Sequence, residues 1–138
     1  IETQVAEWQR QRPGLLCRLD VHGRFDDLDE TTKITVYRFV QECLTNVVRH
    51  AAATEVKISL ACEACAAGER IRGRVALCVS DNGRGLDVTR LRERSGRFGL
   101  LGMRERVEGL GGTLTIEGGP GQGCRLTARI PVPERRMR

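Results

Sequence analysis

The stretch Asp81-Asn82-Gly83-Arg84-Gly85-Leu86 carries the strongest signal in this sequence. It follows the apolar run 75–79, so we expect the carboxylate of Asp81 at a strand end beside a glycine-rich turn. Gly83 and Gly85 allow positive φ angles and let the backbone come close to a ligand. A buried carboxylate can accept a hydrogen bond from an exocyclic amine such as that of adenine. The stretch therefore indicates one wall of a nucleotide pocket.

A second glycine-rich stretch, Phe98-Gly99-Leu100-Leu101-Gly102-Met103, runs directly into residues 103–107, which we interpret as a helix start. Free backbone N–H groups at a helix N-terminus form an anion site, and phosphate is the obvious anion. No GxxxxGK[ST] motif is present, and Gly109-Leu110-Gly111-Gly112 follows a helix instead of opening one, so neither common phosphate-loop pattern applies. One glycine turn alone is usually only a tight loop. The two stretches together favour a nucleotide site.

Composition is that of a globular α/β domain. The chain has 138 residues, 40% of them hydrophobic and 4% aromatic, and its net charge is +5. Basic and acidic residues are interspersed and no basic run alternates with aromatics, so we expect no nucleic-acid partner. No apolar run reaches the ~20 residues that span a bilayer. Because the chain opens on Ile1, we expect it to be a piece of a longer protein.

The six cysteines do not form a convincing metal or disulfide framework. Cys62 and Cys65 are the only close pair, and neither histidine stands at ligand spacing from them. The other four are Cys17, Cys43, Cys78 and Cys124. Cys17, Cys43 and Cys78 fall in apolar patterns, where a free thiol behaves as a small hydrophobe. We expect reduced cysteines.

Periodicity predicts helices alternating with strands. Helices are predicted over 2–12, 33–52 (with Thr31 or Thr32 as N-cap) and 101–110, the last ended by Gly111-Gly112; strands are predicted over 15–21, 55–64, 73–80, 113–117 and 124–132. Residues 55–80 form an antiparallel hairpin that places Asp81 at its far end. A surface connection over 66–70, a glycine turn over 118–123 and a polar, arginine-rich, mobile segment over 87–97 complete the prediction.

The predicted helix over 33–52 carries a polar face beside its apolar stripe. Glu42, Asn46, Arg49 and His50 are spaced by three or four residues and project from one side. A solvated face explains a single Glu or Arg. Asn46 is harder to explain, because asparagine is unfavourable in helix interiors. Its side-chain oxygen could complete a hydrated Mg²⁺ shell, Arg49 could pair with phosphate, and His50 is equally plausible as a packed residue.

The sequence resembles a known family in three motifs. Residues 41–51, Gln-Glu-Cys-Leu-Thr-Asn-Val-Val-Arg-His-Ala, are similar to the N box of bacterial sensor histidine kinases. The stretches 81–86 and 98–106 are similar to their two glycine boxes, in the forms typical of NarL-family kinases. The resemblance extends over nearly the whole chain, from the first strand to Pro133.

The resemblance implies the Bergerat ATP-binding fold, an α/β two-layer sandwich with a mixed, mostly antiparallel sheet and helices on one face. It implies that Asn46 binds Mg²⁺, that Asp81 receives the adenine amino group, and that Glu42 acts as general base or orients the attacking group. The further residues that it implies for the ATP site are Arg49, His50, Gly83, Gly85, Leu86, Gly99, Leu100, Gly102 and Met103. The last four would offer backbone amides to phosphates.

The implied organisation extends beyond this chain. Residues 1–13 would end a linker helix from a dimerisation region, 14–133 would form the ATPase domain with an ATP lid over about 87–98, and 134–138 would be a basic tail. ATP or ADP, a phospho-accepting domain elsewhere in the parent, and a NarL-type response regulator are the implied partners. The domain would be cytoplasmic, and the parent a homodimer anchored in the bacterial inner membrane.

Two features depart from the family pattern. Cys124 stands where the family often has threonine after the last glycine turn, and a thiol is a weak hydrogen-bond partner. The phospho-accepting histidine is missing, since neither His22 nor His50 stands in a suitable context. Two other functions remain open from sequence: a Bergerat-fold serine kinase of the anti-sigma type, and an interaction module that has lost nucleotide binding.

Overall fold

The computed structural model describes residues 2–23, 28–47, 53–64, 71–83, 96–118 and 123–133. Three helices and five strands make up these segments. In chain order they are α1 (Glu2–Arg10), β1 (Leu16–His22), α2 (Glu30–Asn46), β2 (Glu55–Ala64), β3 (Ile71–Asp81), α3 (Gly96–Gly109), β4 (Thr113–Glu117) and β5 (Cys124–Pro133).

The five strands form one mixed sheet in the order β1-β2-β3-β5-β4. Only the β1–β2 pair is parallel, and the other three pairs are antiparallel. The register sets Asp81 opposite Val56 on one side and opposite Cys124 on the other. The predicted mixed, mostly antiparallel sheet is confirmed, and so is the hairpin that brings Asp81 to a strand end.

One face of the sheet is covered by the helices. Along β2, Val56, Ile58 and Leu60 are buried, whereas Lys57 and Ser59 are exposed. The same alternation along β3 and β5 creates one apolar face, as expected for an antiparallel sheet with one packed side. Helix α2 contacts β3 and β5 from this side, and α3 contacts β4, β5 and α2. The two-layer sandwich is therefore confirmed.

Helix α2 begins earlier than its sequence pattern predicts. Its N-cap is Asp29, not Thr31 or Thr32. The Asp29 carboxylate accepts hydrogen bonds from the Thr32 backbone N–H at 3.3 Å and from the Thr32 hydroxyl at 2.6 Å. This carboxylate satisfies a free amide of the first turn, while Thr32 itself is buried inside the helix. The last predicted residues of this helix, 48–52, lie outside the described residues.

Helix α3 also begins earlier, at Gly96 and not at residue 101. Glycine costs a helix about 1 kcal/mol relative to alanine, which is why the sequence favoured a turn at Gly99 and Gly102. Packing offsets this cost, since Met103 and Val107 are buried one turn apart. Residues 96–98 are therefore helical. The lid predicted over about 87–98 stays a prediction, since residues 87–95 lie outside the described part of the chain.

The remaining boundaries differ by a few residues at most. The strands predicted over 55–64 and 113–117 are confirmed, and α3 stops before Gly111 as expected. Helix α1 is shorter than predicted by two residues, and β1 lies one residue further along. The connection over 66–70 and residues 119–122 of the glycine turn fall outside the described residues. In the segments that are described, no helix is long and apolar enough to cross a membrane.

Candidate functional site

A cleft lies between the C-terminal end of α2 and the adjoining ends of β3 and β5. Asn46 and Asp81 are its polar side chains, and the rest of the lining is apolar or thiol: Cys43, Val47, Val79, Cys124 and Leu126. Ligand pockets commonly combine a mostly apolar wall with a few convergent polar groups. The structure thus brings together two polar residues that lie far apart in the sequence.

Asp81 is the last residue of β3, and its carboxylate is partly withdrawn from water. Burial raises the pKa of Asp81, and the hydrogen bond that its Oδ1 accepts from the Gly83 N–H at 2.8 Å opposes this rise. The hydrogen bond from Gly83 holds Oδ1 of Asp81 in place, and Asp81 lines the cleft. A carboxylate in this position is a strong acceptor for a ligand N–H group.

Asn46 faces the same cleft from α2. The residue is only 8% exposed, and its Nδ2 is buried without a hydrogen-bond partner in the described part of the chain. An unsatisfied buried polar group costs about 1–3 kcal/mol, so native proteins rarely leave one without a reason. A polar ligand in the cleft would relieve this cost.

Two thiols complete the wall between these polar residues. Burial raises the pKa of Cys124 to about 12, and the neighbouring Asp81 charge adds to the rise. Burial also raises the pKa of Cys43, with Cys124 and then Glu42 as further causes. Both thiols are therefore neutral, and they contribute apolar surface at physiological pH.

The turn after Asp81 is held against β5 by glycine. The Gly123 N–H donates to the Gly83 carbonyl at 3.1 Å. Gly123 has a φ of +72°, and a Cβ placed on it would lie 2.2 Å from the Asp81 carbonyl oxygen. A larger residue at position 123 would therefore displace the backbone that carries Asp81.

The other predicted site residues are distributed around the cleft. Gly83 follows Asp81 directly, and Glu42 is half-buried on α2, one turn before Asn46 and outside the cleft lining. Gly99, Leu100, Gly102 and Met103 lie in α3. Arg49, His50, Gly85 and Leu86 lie outside the described residues.

The position of α3 bears on the predicted phosphate contacts. Regular helical bonds engage the backbone amides beyond the first turn, which includes those of Gly102 and Met103. Phosphate binding by these amides stays a prediction, because it requires the helix to begin later when nucleotide is bound. Met103 has a second role in the structure, since its side chain is buried in the core.

Sequence reasoning singled out Cys124 but missed four other lining residues: Cys43, Val47, Val79 and Leu126. Their positions follow from periodicity. Cys43 and Val47 flank Asn46 on one face of α2, and Val79 precedes Asp81 by the two-residue step of a strand. Periodicity assigns these residues to the buried faces of their helix and strands. It does not distinguish a side chain that faces the core from one that faces a cleft.

Known proteins resemble this chain in sequence. Residues 31–134 match the family described as histidine kinase-, DNA gyrase B-, and HSP90-like ATPase. The sensor histidine kinase YdfH of Bacillus subtilis is 33% identical over 119 residues, which are 86% of this chain and 27% of YdfH. UhpB of Salmonella typhimurium, a signal transduction histidine-protein kinase/phosphatase, is 35% identical over 133 residues, which are 95% of this chain and 24% of UhpB. The chain thus spans about a quarter of these relatives.

Solved structures show the same fold at lower identity. The histidine kinase domain of a blue-light activated kinase from Erythrobacter litoralis EL346 superposes with a TM-score of 0.67 at 23% identity, over 92% of this chain and 57% of that one. The ATP-binding domain of PrrB from Mycobacterium tuberculosis gives 0.58 at 24% identity, over 94% of this chain and 88% of that one. The expected ATP-binding fold is confirmed. Since the family match covers most of the residues that form the sheet and both walls of the cleft, the chain belongs to the family of histidine kinase-, DNA gyrase B- and HSP90-like ATPases, and its nucleotide is ATP.

Proposed function

We propose that this chain is the catalytic domain of a two-component sensor histidine kinase. It would hold ATP with Mg²⁺ and supply the γ-phosphoryl group to a histidine elsewhere in a longer protein, for relay to a response regulator. The curated relatives named above support this proposal, because they are histidine kinases of which the chain covers 27% and 24%. The anti-sigma type of serine kinase receives no support from these relatives.

One observation carries the proposal: Asn46 of α2 and Asp81 of β3 line the same cleft. The Asp81 carboxylate would accept the exocyclic amine of adenine, and the apolar residues Val79 and Leu126 would contact the base. Asn46 would then lie toward the phosphates. Phosphoryl transfer needs mainly positioning and charge neutralisation, so a site with few reactive side chains is sufficient.

The residues present fit a magnesium ion. Mg²⁺ takes oxygen ligands, keeps several waters and needs only one or two protein groups. The buried amide of Asn46, whose nitrogen has no partner among the described residues, could turn its oxygen toward such an ion, because the two ends of an amide have nearly the same shape. When bound, the ion would neutralise phosphate charge. Glu42 would orient the attacking group, and Arg49 would pair with a phosphate.

The proposed organisation covers both this chain and the longer protein to which it would belong. Residues 1–13 would end the linker helix, 14–133 would form the ATPase domain, and 134–138 would be a basic tail. The phospho-accepting histidine, the homodimer contacts and the inner-membrane anchor would belong to the longer protein. A NarL-type response regulator would receive the phosphoryl group.

Two measurements test this function. In the first, calorimetry on this chain should show ADP binding without metal and tighter ATP binding with Mg²⁺, with GDP much weaker. In the second, the longer protein should incorporate label from γ-labelled ATP into an acid-labile, base-stable phosphoramidate. An acid-stable phosphoserine would instead identify a serine kinase. If the chain bound neither ADP nor ATP, the result would instead support an interaction module that has lost nucleotide binding.

A further inference from the structure

The side chain of Asn82 joins two segments that are distant in sequence. Its Oδ1 accepts hydrogen bonds from the backbone N–H groups of Thr54 at 2.9 Å and Glu55 at 3.0 Å. Its Nδ2 donates to the Thr54 hydroxyl at 2.9 Å. The Asn82 backbone N–H donates to the Glu55 carbonyl at 3.2 Å. Both ends of the amide are therefore engaged, although the residue is exposed.

These bonds extend the β2–β3 ladder beyond the end of β3. The last paired residues of the two strands are Val56 and Asp81. One position further, the Asn82 side-chain oxygen replaces a main-chain carbonyl as the acceptor for the Glu55 N–H. The main chain can then turn away toward Gly83 without leaving the start of β2 unpaired. Asparagine suits this position because its short amide both donates and accepts.

The arrangement fixes Asp81 from two sides. On one side, Asn82 ties the chain to the start of β2, in the segment that follows α2. On the other side, the Gly83 carbonyl accepts from the Gly123 N–H and ties the same turn to β5. Gly83 in turn donates to the Asp81 carboxylate at 2.8 Å. The Asp81 backbone is paired with β2 and β5, and the two anchors fix the turn whose Gly83 N–H holds its carboxylate.

We propose that Asn82 is a positioning residue of the ATP site, which acts through Asp81 and sets the preference for adenine. The inference rests on the proposed role of Asp81 as acceptor for the adenine amine. Asn82 itself does not line the cleft. Its bonds keep the carboxylate in line with the base, and a binding group must be held within about 0.5 Å of its productive place.

The effect on binding is separable from an effect on stability. The bonds of Asn82 lie at an exposed site, so water can take the place of its amide when the side chain is truncated. The fold should then lose little. The turn that bonds the Asp81 carboxylate would lose one of its two anchors, and the carboxylate would sample positions that do not meet the adenine amine.

The test compares Asn82→Ala and Asn82→Asp with the unchanged chain in metal-free calorimetry with ADP and GDP. We expect Asn82→Ala to weaken ADP by roughly tenfold, the upper range for a lost neutral hydrogen bond. GDP binding should change little, so that the preference for ADP over GDP falls. Asn82→Asp keeps an acceptor for Thr54 and Glu55 and should restore most of the preference. If the alanine variant does not fold, the ratio of ADP to GDP affinity in Asn82→Asp still tests the proposal.

Asp29→Ala is the matched control. It removes the N-cap bonds of α2 at the end of the helix remote from Asn46 and costs stability without touching the cleft. Its ADP and GDP affinities should equal those of the unchanged chain. An Asn82→Ala variant that keeps the full preference for ADP would overturn the inference, as would an equal loss for both nucleotides. Failure of the unchanged chain to bind ADP would overturn the proposed function itself.

Discussion

At the scale of single residues, Asp81 should govern adenine recognition. In Asp81→Asn the charged acceptor becomes an amide that also presents N–H donors. A hydrogen bond to a charged group contributes about 1.5–3 kcal/mol, so ADP and ATP affinity should fall together by roughly ten- to a hundredfold. Titration calorimetry measures both affinities, and circular dichroism checks that the fold is kept. Unchanged ADP affinity would show that Asp81 is not the adenine acceptor.

Asn46 should act on a different part of the ligand. Mg²⁺ gains only one or two protein ligands, so Asn46→Ala should weaken Mg²⁺-dependent ATP binding and phosphoryl transfer. Metal-free ADP binding should change little. Thr45→Ala, which removes an exposed hydroxyl bonded to the Gln41 carbonyl, is the neighbouring control on the same helix. Equal losses with and without Mg²⁺ would make Asn46 a structural residue and not a metal ligand.

At the scale of elements, a side chain of the N-terminal helix, which also buries Val5 in the core, bonds to the edge strand of the described sheet. β1 is an edge strand, and Gln9 of α1 accepts from the Cys17 N–H at 2.6 Å and donates to the Leu15 carbonyl. Covering an edge in this way protects it from pairing with another chain. Gln9→Ala should lower the free energy of unfolding by about 1–2 kcal/mol and speed hydrogen exchange at the Cys17 amide. Gln11→Ala, at an exposed position, should change neither the free energy of unfolding nor the exchange rate. If the Cys17 amide stays protected in Gln9→Ala, the proposed bond between Gln9 and β1 is contradicted.

The elements also show what the sequence could and could not predict. Strands 55–64 and 113–117 were predicted to the residue, because their apolar and polar side chains alternate. The starts of α2 and α3 were missed because the Asp29 cap and the packing of Met103 and Val107 override local propensity. Asn46 and Asp81 were found because a polar residue in a helix interior or at a strand end needs an explanation. The bond between Asn82 and Thr54 joins segments that are distant in sequence, and no local sequence pattern predicts such a contact.

At the scale of the whole molecule, folding and nucleotide binding should respond to pH in opposite directions through Asp81. Burial raises the pKa of Asp81 in the folded chain, so the folded state holds this proton more tightly than the unfolded state. The carboxyl group's own contribution to stability therefore rises as the pH falls through the raised pKa of the folded chain toward the ordinary pKa of the unfolded chain. Adenine binding follows the opposite course, because the protonated carboxyl group is a poorer acceptor for the amine.

The comparison of the unchanged chain with Asp81→Asn isolates this effect from all other titrating groups. As the pH falls through the raised pKa, ADP affinity of the unchanged chain should fall more steeply than that of Asp81→Asn, whose side chain does not titrate. Thermal melts without nucleotide should show the reverse: the variant's stability relative to the unchanged chain should be highest at neutral pH and should decline as the pH is lowered. Calorimetry and melting over one buffer series give both curves. Parallel pH profiles for the two proteins would mean that Asp81 neither carries the desolvated charge nor receives the adenine amine.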